Sequence, residues 1–409
     1  MPKGERKLPM ANAVVRPEIA AIVEQLDELR PKLIESGGEG DENRRIPQDV
    51  FDAVAATGAF TISVPEKFGG LAANTREAHA VSRAIGRGDG SLAWVNGILD
   101  SGAWVTGLMD ERAQEDVWGA AGGIDSLISI VLATTSDAVP VEGGYRVTGK
   151  WAYGTGSMHA TWSLLGIPIK NGAGEVVDAG LALIPTSELS YDDNWYVAGM
   201  KSTASVTQIA EDVFVPHHRV FPLTAAVEGG YLGDNPEASY RTVFIPSLFM
   251  KLVGPHLGMG RAAIDFVSSM SERKAIAYTG YEKQADSAIF QSVIAKANVE
   301  LNAAELVAQQ IADEIYAAAV DDYYAPYAKR IEMRAKAGWI VDTIANMIKD
   351  LISAHGSGGF ADMSPLQRIW RDQATAASHG HILAASGYEA YGKILLGREH
   401  DARFVLPIV

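Results

Sequence analysis

Between Phe290 and Ile315 the apolar residues Phe290, Val293, Ile294, Ala297, Leu301, Ala304, Ala308, Ile311 and Ile315 recur at steps of three and four. That spacing draws one apolar stripe along a helix of roughly seven turns. Such a helix cannot cover its own stripe, so other helices must lie against it. The run from Ile331 to Ile352 reads as a second long helix, and Ser364 can N-cap a third that Pro365 opens. The last part of the chain is therefore expected to be a helical bundle.

The beginning of the chain is helical too. Ile19, Ile22, Val23, Leu26, Leu29 and Leu33 follow helical spacing, with Pro31 interrupting near the end. Pro47 to Gly58 and Ala78 to Gly86 repeat the habit, and Gly88-Asp89-Gly90-Ser91 punctuates the chain after them. Around Leu127 the texture changes. Leu127 to Thr134 is a candidate strand, Gly143-Gly144 a hairpin turn, and Tyr145 to Trp151 alternates as a half-buried strand does. Trp162 to Ile167, Ala179 to Ile184 and Glu211 to Val215 continue the pattern, which predicts a β-domain of roughly a hundred residues. Helical periods return after about Val227. The expected class is α+β, with a helical domain over 1–125, a β-barrel or sandwich over 126–226 and a helical bundle over 227–409.

Composition narrows the function. The 409 residues carry a formal net charge of −15, which argues against nucleic acid because phosphate binding needs a basic footprint. Cysteine is absent, which removes disulfides, thiolate metal sites and thiol nucleophiles, and a cytoplasmic setting is the simplest inference. No run approaches the ~18 apolar residues of a membrane span, and the tail Met1 to Ala13, with Lys3, Arg6 and Lys7, reads as neither signal peptide nor span. Gly254, Gly258 and Gly260 lie inside a helical pattern, so close helix packing explains them better than a dinucleotide fingerprint. His379 and His381, two residues apart on a helix, would point about 200° apart and could not share an ion. His217-His218 has no neighbour in sequence to complete a ligand set, so no metal is expected.

Two segments carry chemistry. Pro365-Leu366-Gln367-Arg368-Ile369-Trp370-Arg371-Asp372, followed by His379, resembles the C-terminal helix of the oxygenase components of two-component flavin-dependent monooxygenases, enzymes with an acyl-CoA dehydrogenase fold. Dehydrogenases with their base in this helix keep a glutamate nine residues after the arginine. Here that count from Arg371 reaches Gly380, with His379 just before it. Gly149-Lys150-Trp151-Ala152-Tyr153-Gly154-Thr155-Gly156 resembles the segment that lies against the flavin ring and bonds its N5/O4 edge. Ala59 to Gly70 resembles a turn of the same fold. Trp195 to Ser205 resembles the W-x-x-x-G-L-x-G-T-G-S turn, but Ser202 and Ala204 stand where both later glycines are expected. Val215-Pro216-His217-His218-Arg219 resembles the V-P-x-x-R that follows, and is expected to end the β-domain.

The resemblance covers nearly the whole chain and implies an acyl-CoA dehydrogenase-like architecture ending in a four-helix bundle. It also implies reduced FMN or FAD taken from a separate reductase, dioxygen as co-substrate, no metal, and a C4a-hydroperoxide that hydroxylates a small phenolic or aromatic substrate. His379 would be the general base, titrating near operating pH. Tyr153, Thr155, Gly156 and Ser205 would hold the flavin, with Thr155 also protecting the hydroperoxide. Arg273 would reach a flavin phosphate, and the loop with Gly358 and Gly359 would meet a neighbouring subunit's flavin, implying a homodimer or homotetramer. Trp94, Asn96, Ser101 and Trp104 are the expected substrate walls. The alternatives are N-hydroxylation of an amine or amino sugar, an acyl-CoA dehydrogenase, and a flavin-binding scaffold without turnover. Glu389 lies too far along the helix to replace the missing glutamate.

Overall fold

The computed structural model describes residues 15–398 apart from 121 and 172. The tail whose basic residues were read above lies outside the described residues. Five helices come first: α1 (Pro17–Asn43), α2 (Gln48–Ala55), α3 (Thr75–Gly86), α4 (Gly90–Gly107) and α5 (Glu111–Trp118). Eight strands follow: β1 (Ile128–Val131), β2 (Ser136–Val141), β3 (Gly144–Trp151), β4 (Trp162–Lys170), β5 (Val176–Pro185), β6 (Ser190–Asp192), β7 (Thr207–Pro216) and β8 (Val220–Pro222). The chain then returns to helix in α6 (Leu223–Val227), α7 (Phe244–Lys251), α8 (Val253–Ser271), α9 (Ala288–Val320), α10 (Tyr327–His355), α11 (Pro365–Ala376) and α12 (Ala384–Leu395).

Pro31 does not end α1. A proline removes one helical donor, but Leu26, Leu33, Gly37 and Gly40 on either side are all buried, and the helix runs on until Arg44 takes a left-handed conformation. The strands form two four-stranded sheets, ordered β1-β4-β5-β8 and β2-β3-β7-β6. Among the described residues only β1 and β4 pair in parallel. Three strands escaped the sequence reading: β2, which holds Pro140 at a sheet edge where its missing donor costs nothing, and the three-residue β6 and β8. The segment at His217 therefore does not close the β-region. His218 and Arg219 instead bond Asp116 at 2.8 and 2.7 Å.

Strand β4 is buried on both faces, which accounts for its continuous apolar run. Leu165 and Ile167 point into the core between the sheets, while Leu164 joins Ile128, Leu181 and Leu183 in the core shared with the helices. Helices α8, α9 and α10 pack on one another, with α11 against α8 and α10 and α12 against α10. The fourth member of the bundle is thus broken in two. Glycines set the closest approaches. A methyl on Gly258 would stand 2.6 Å from the Arg83 carbonyl and 2.7 Å from Gly86 Cα, so α8 and α3 touch backbone to backbone there.

Candidate active site

A cavity of about 870 Å³ opens where α4, the ends of β1 and β3, the loop 194–205, α7 and the break between α11 and α12 converge. Its size falls within the range of small-molecule and cofactor sites. Helix α4 contributes Trp94, Ile98 and Ser101, which at four and then three residues' separation share one helical face. Trp94 and Ser101 were expected in the wall and are there. Asn96 and Trp104 are not. Asn96 is turned about 200° from Trp94, and its side chain donates to the Ala59 carbonyl at 3.0 Å in a separate core. Trp104 donates to the Ser239 carbonyl at 2.8 Å and packs on Phe244.

Tyr153, Thr155 and Ser205 also line the cavity. Tyr153 adopts φ +63°, a strained conformation for an aromatic residue, and is 71% exposed beside Trp195, whose ring lies 5.8 Å away at 81°. Gly156, at φ +74°, stands behind the wall against Leu99 and Val95. In the loop that lacks the expected glycines, Met200 and Ala204 still take φ of +57° and +45°. The left-handed turns survive without the residue that adopts them freely. Helix α11 grips this loop. Asp372 accepts from Met200 N–H at 2.6 Å, Arg371 donates to the Ala198 carbonyl at 2.9 Å, and Gly199 lies against the Arg371 carbonyl. Burial pushes the Asp372 carboxyl up to about 7 against the pull of the Met200 amide.

Three hydroxyls in a row have a defined polarity. Thr155 Oγ1 lies 2.6 Å from Ser205 Oγ, Ser205 Oγ 2.7 Å from Thr203 Oγ1, and Thr203 Oγ1 2.8 Å from the Met200 carbonyl. Each hydroxyl has one proton, and the carbonyl can only accept. All three contacts hold a proton only if Thr155 donates to Ser205, Ser205 to Thr203 and Thr203 to the carbonyl. Thr155 therefore faces the cavity as an acceptor.

On the far side stand two imidazoles. Helix α11 stops at Ala376, so His379 and His381 occupy a turn rather than a helix. The 200° separation expected of them does not hold: both line the cavity, their rings 5.5 Å apart and nearly perpendicular. The turn redirects the chain so that α12 can seat on α10, where Gly338 faces Ala384 and Gly387 faces Ala335. Trp94 meets His379 at 5.4 Å. Burial, reinforced by the Arg334 guanidinium, lowers His379 to about 4. Burial, then His379 and Arg334, lower His381 to about 3. The expectation that His379 titrates near neutral pH is therefore corrected: its ring is a neutral imidazole there. A third imidazole, His256, lies 6.0 Å from Trp94 and bonds Gln373 at 2.8 Å, and no sequence signal marked it. Among the described residues no group of three or more His, Cys, Asp or Glu is placed to hold a metal.

Arg273, Gly358 and Gly359 do not line the cavity. They lie near one another instead: the glycine loop follows α10, and a methyl on Gly358 would stand 3.5 Å from Lys274 Nζ, beside Arg273. Glu389 is on α12, 3.2 Å from Lys393, not on the helix that precedes His379.

Helices before and after a two-sheet β-unit, with the cavity at their junction, define an acyl-CoA dehydrogenase-like fold. Residues 15–110 match the acyl-CoA dehydrogenase N-terminal domain and 251–383 the acyl-CoA dehydrogenase C-terminal domain. The chain is similar to the flavin-dependent monooxygenase oxygenase subunit HsaA of Rhodococcus jostii (strain RHA1), 33% identical over 90% of this chain and 97% of that one. It is 28% identical to the oxygenase component of the FADH2-dependent resorcinol hydroxylase of Rhizobium sp. (strain MTP-10005), over 90% and 92%. The structure of XiaF from Streptomyces sp. in complex with FADH2 and glycerol superposes with a TM-score of 0.86 at 29% identity, covering 96% of this chain and 97% of that one. The chain belongs to the family of flavin-dependent monooxygenase oxygenase subunits.

Proposed function

We propose that this chain is the oxygenase component of a two-component system that hydroxylates a small phenolic or aromatic substrate with reduced flavin, FMN or FAD, and dioxygen. The observation that carries the reading is the make-up of the cavity: it holds two imidazoles and a row of hydroxyls, and among the described residues no Asp or Glu lines it. An acyl-CoA dehydrogenase needs a carboxylate base against its substrate, and none is offered here. The walls fit a flat heterocycle, since Trp94, Tyr153 and Trp195 supply aromatic faces and Thr155 a placed acceptor.

Reduced flavin, when bound, would supply the reducing power that activates dioxygen and delivers one oxygen atom. The chain's own part is to hold the ring, keep water out and manage one proton. Reduced flavin carries N–H at N5 and the oxidised form a bare nitrogen. An acceptor at Thr155 therefore favours the reduced form. His379, with a free lone pair at neutral pH, would accept the proton of a phenol hydroxyl as electron density shifts onto the ring under attack. A separate reductase, a cytoplasmic setting and a homodimer or homotetramer complete the reading. In that assembly Arg273, Gly358 and Gly359 would serve the flavin of a neighbouring subunit.

The test is turnover of resorcinol with NADH, a flavin reductase and isotopically labelled dioxygen. One labelled atom in the product supports the reading, and NADH consumption yielding only hydrogen peroxide across a panel of phenols defeats it. The hydroxyl relay makes a separate prediction. Ser205→Ala removes the acceptor of Thr155's proton and lets Thr155 donate. The preference for reduced over oxidised flavin is expected to fall by about tenfold, the worth of one hydrogen bond. Anaerobic titrations of both redox forms measure it, and an equal loss for both forms would assign Ser205 to structure alone.

A further inference from the structure

Every wall residue of the cavity is uncharged. Among the described residues no Asp, Glu, Lys or Arg lines it, and its two imidazoles are neutral at neutral pH because burial holds them near 4 and 3. The hydroxyls of the lining are also one-sided. Besides the relay of Thr155, Ser205 and Thr203, the hydroxyl of Ser101 donates to the Gly97 carbonyl at 2.7 Å, that of Thr375 to Arg371 at 2.9 Å and that of Ser378 to Ala374 at 3.1 Å. Thr207 donates to Asn194 Oδ1 at 3.2 Å. All seven serine and threonine hydroxyls of the lining thus have an internal acceptor for their proton and turn lone pairs to whatever enters. Each neutral imidazole keeps one N–H, and the Asn194 amide one beyond its bond to Thr207. Acceptors outnumber these donors and no cation lines the wall among the described residues, so the lining rewards a ligand that donates and offers a negative charge no counter-ion.

Cations adjoin the wall without lining it: Arg44 and Arg371 donate to the Trp195 and Ala198 carbonyls and are paired with Asp193 and Asp41, and Lys251 and Arg334 lie near α4 and the imidazole turn. Lys251, 4% exposed, is paired with Asp100, 2% exposed, and donates to Ser63 at 2.9 Å. Arg334 donates through Nη2 to the Gly380 carbonyl at 2.8 Å and to Ser386 at 3.2 Å, its Nε has no hydrogen-bond partner among the described residues, and it does not line the cavity.

From this we infer that the substrate is an uncharged aromatic molecule presenting hydroxyl donors, and that a carboxylate on its ring or side chain excludes it. The inference deepens the proposed function and rests on it. The flavin's own phosphate does not conflict with it, because the cavity is open at the exposed Tyr153 and the anionic tail can lie outside while the ring lies within.

The experiment pairs acids with their neutral esters on the full chain with its reductase at pH 7.5: 4-hydroxyphenylacetate against its methyl ester, and 3-hydroxybenzoate against methyl 3-hydroxybenzoate. Binding to the protein loaded with reduced flavin is measured without oxygen, and hydroxylation with it. The esters are expected to bind and to show kcat/KM at least ~100-fold above the acids, the scale on which a site with no partner for a buried charge rejects it. Acids within tenfold of their esters, or esters that bind no better than acids, overturn the inference. Arg334→Met is expected to leave the ester-to-acid ratio unchanged. A ratio that rises because acid binding is lost would show the guanidinium reaching the substrate, and would overturn it as well. Failure of reduced flavin to bind at all would instead defeat the proposed function.

Discussion

Replacing His379 by alanine is expected to leave flavin binding intact while hydroxylation of a phenol, followed in a single turnover, falls by about two orders of magnitude or more. The ring is half-buried in the turn after α11, packed edge-on to Trp94, on the wall opposite the hydroxyl relay. Its role depends on a lone pair, and burial decides when that lone pair exists. Because the folded ring titrates at about 4 rather than 6.5, it is unprotonated throughout the neutral range and gains its proton only in acid. His379 itself should therefore add no titration to the hydroxylation step from pH 8 down to about 5, read in an Asp372→Asn background because that carboxyl titrates at about 7. A loss with its midpoint near 6.5 would show an ordinary, solvated imidazole and remove the structural argument. The backbone N–H of His381 donates to Nδ1 at 3.4 Å, a long bond that biases the ring toward a proton on Nε2 without fixing it there. Product formation unchanged in the alanine variant would end the assignment altogether.

The second large effect is on stability. Lys251→Met is expected to destabilise the fold by about 3–5 kcal/mol, because it leaves Asp100 charged in a place without water. Asp100 Oδ1 has no hydrogen-bond partner among the described residues, and the pair is almost fully enclosed between α4 and α7. The cost lies in orphaning a charge rather than in losing an attraction, so Lys251→Met combined with Asp100→Leu should recover most of the loss. Urea unfolding of the two variants distinguishes the accounts: a double variant as weak as the single one would mean that the ion pair itself, not the stranded carboxylate, carries the stability. Asp100 immediately precedes Ser101 of the cavity wall on α4, so the single variant should also weaken substrate binding while the double variant keeps it.

Much of the architecture was legible in the residues. The stripe from Phe290 to Ile315 lies within α9, and Ile331 to Ile352 lies within α10. Periodicity is a strong signal over such lengths because each buried position repeats the same constraint. It failed where one local rule was weighed without its neighbours, as at Pro31, where burial on both sides of the proline carries α1 on to Asn43. The site was half legible. Motif resemblance pointed to Tyr153, Thr155, Ser205 and His379, and these share one cavity. Helical phase alone separates Trp94 and Ser101 from Asn96, yet choosing which face of α4 looks inward needed the packing, because that helix is buried on nearly every side.

The order of helix and strand, the long apolar stripes, the absence of cysteine and the histidine standing beside the place of a missing glutamate are properties of the chain itself, since each depends on residues close together in sequence or on composition. The convergence of residues near 94, 155, 205 and 379 on one uncharged cavity, the direction in which three hydroxyls pass their protons and the neutrality of two imidazoles belong to the tertiary structure. Each of these depends on how far water is excluded and on which atoms from distant segments come within 3 Å of one another, and neither quantity is encoded in any single stretch of sequence.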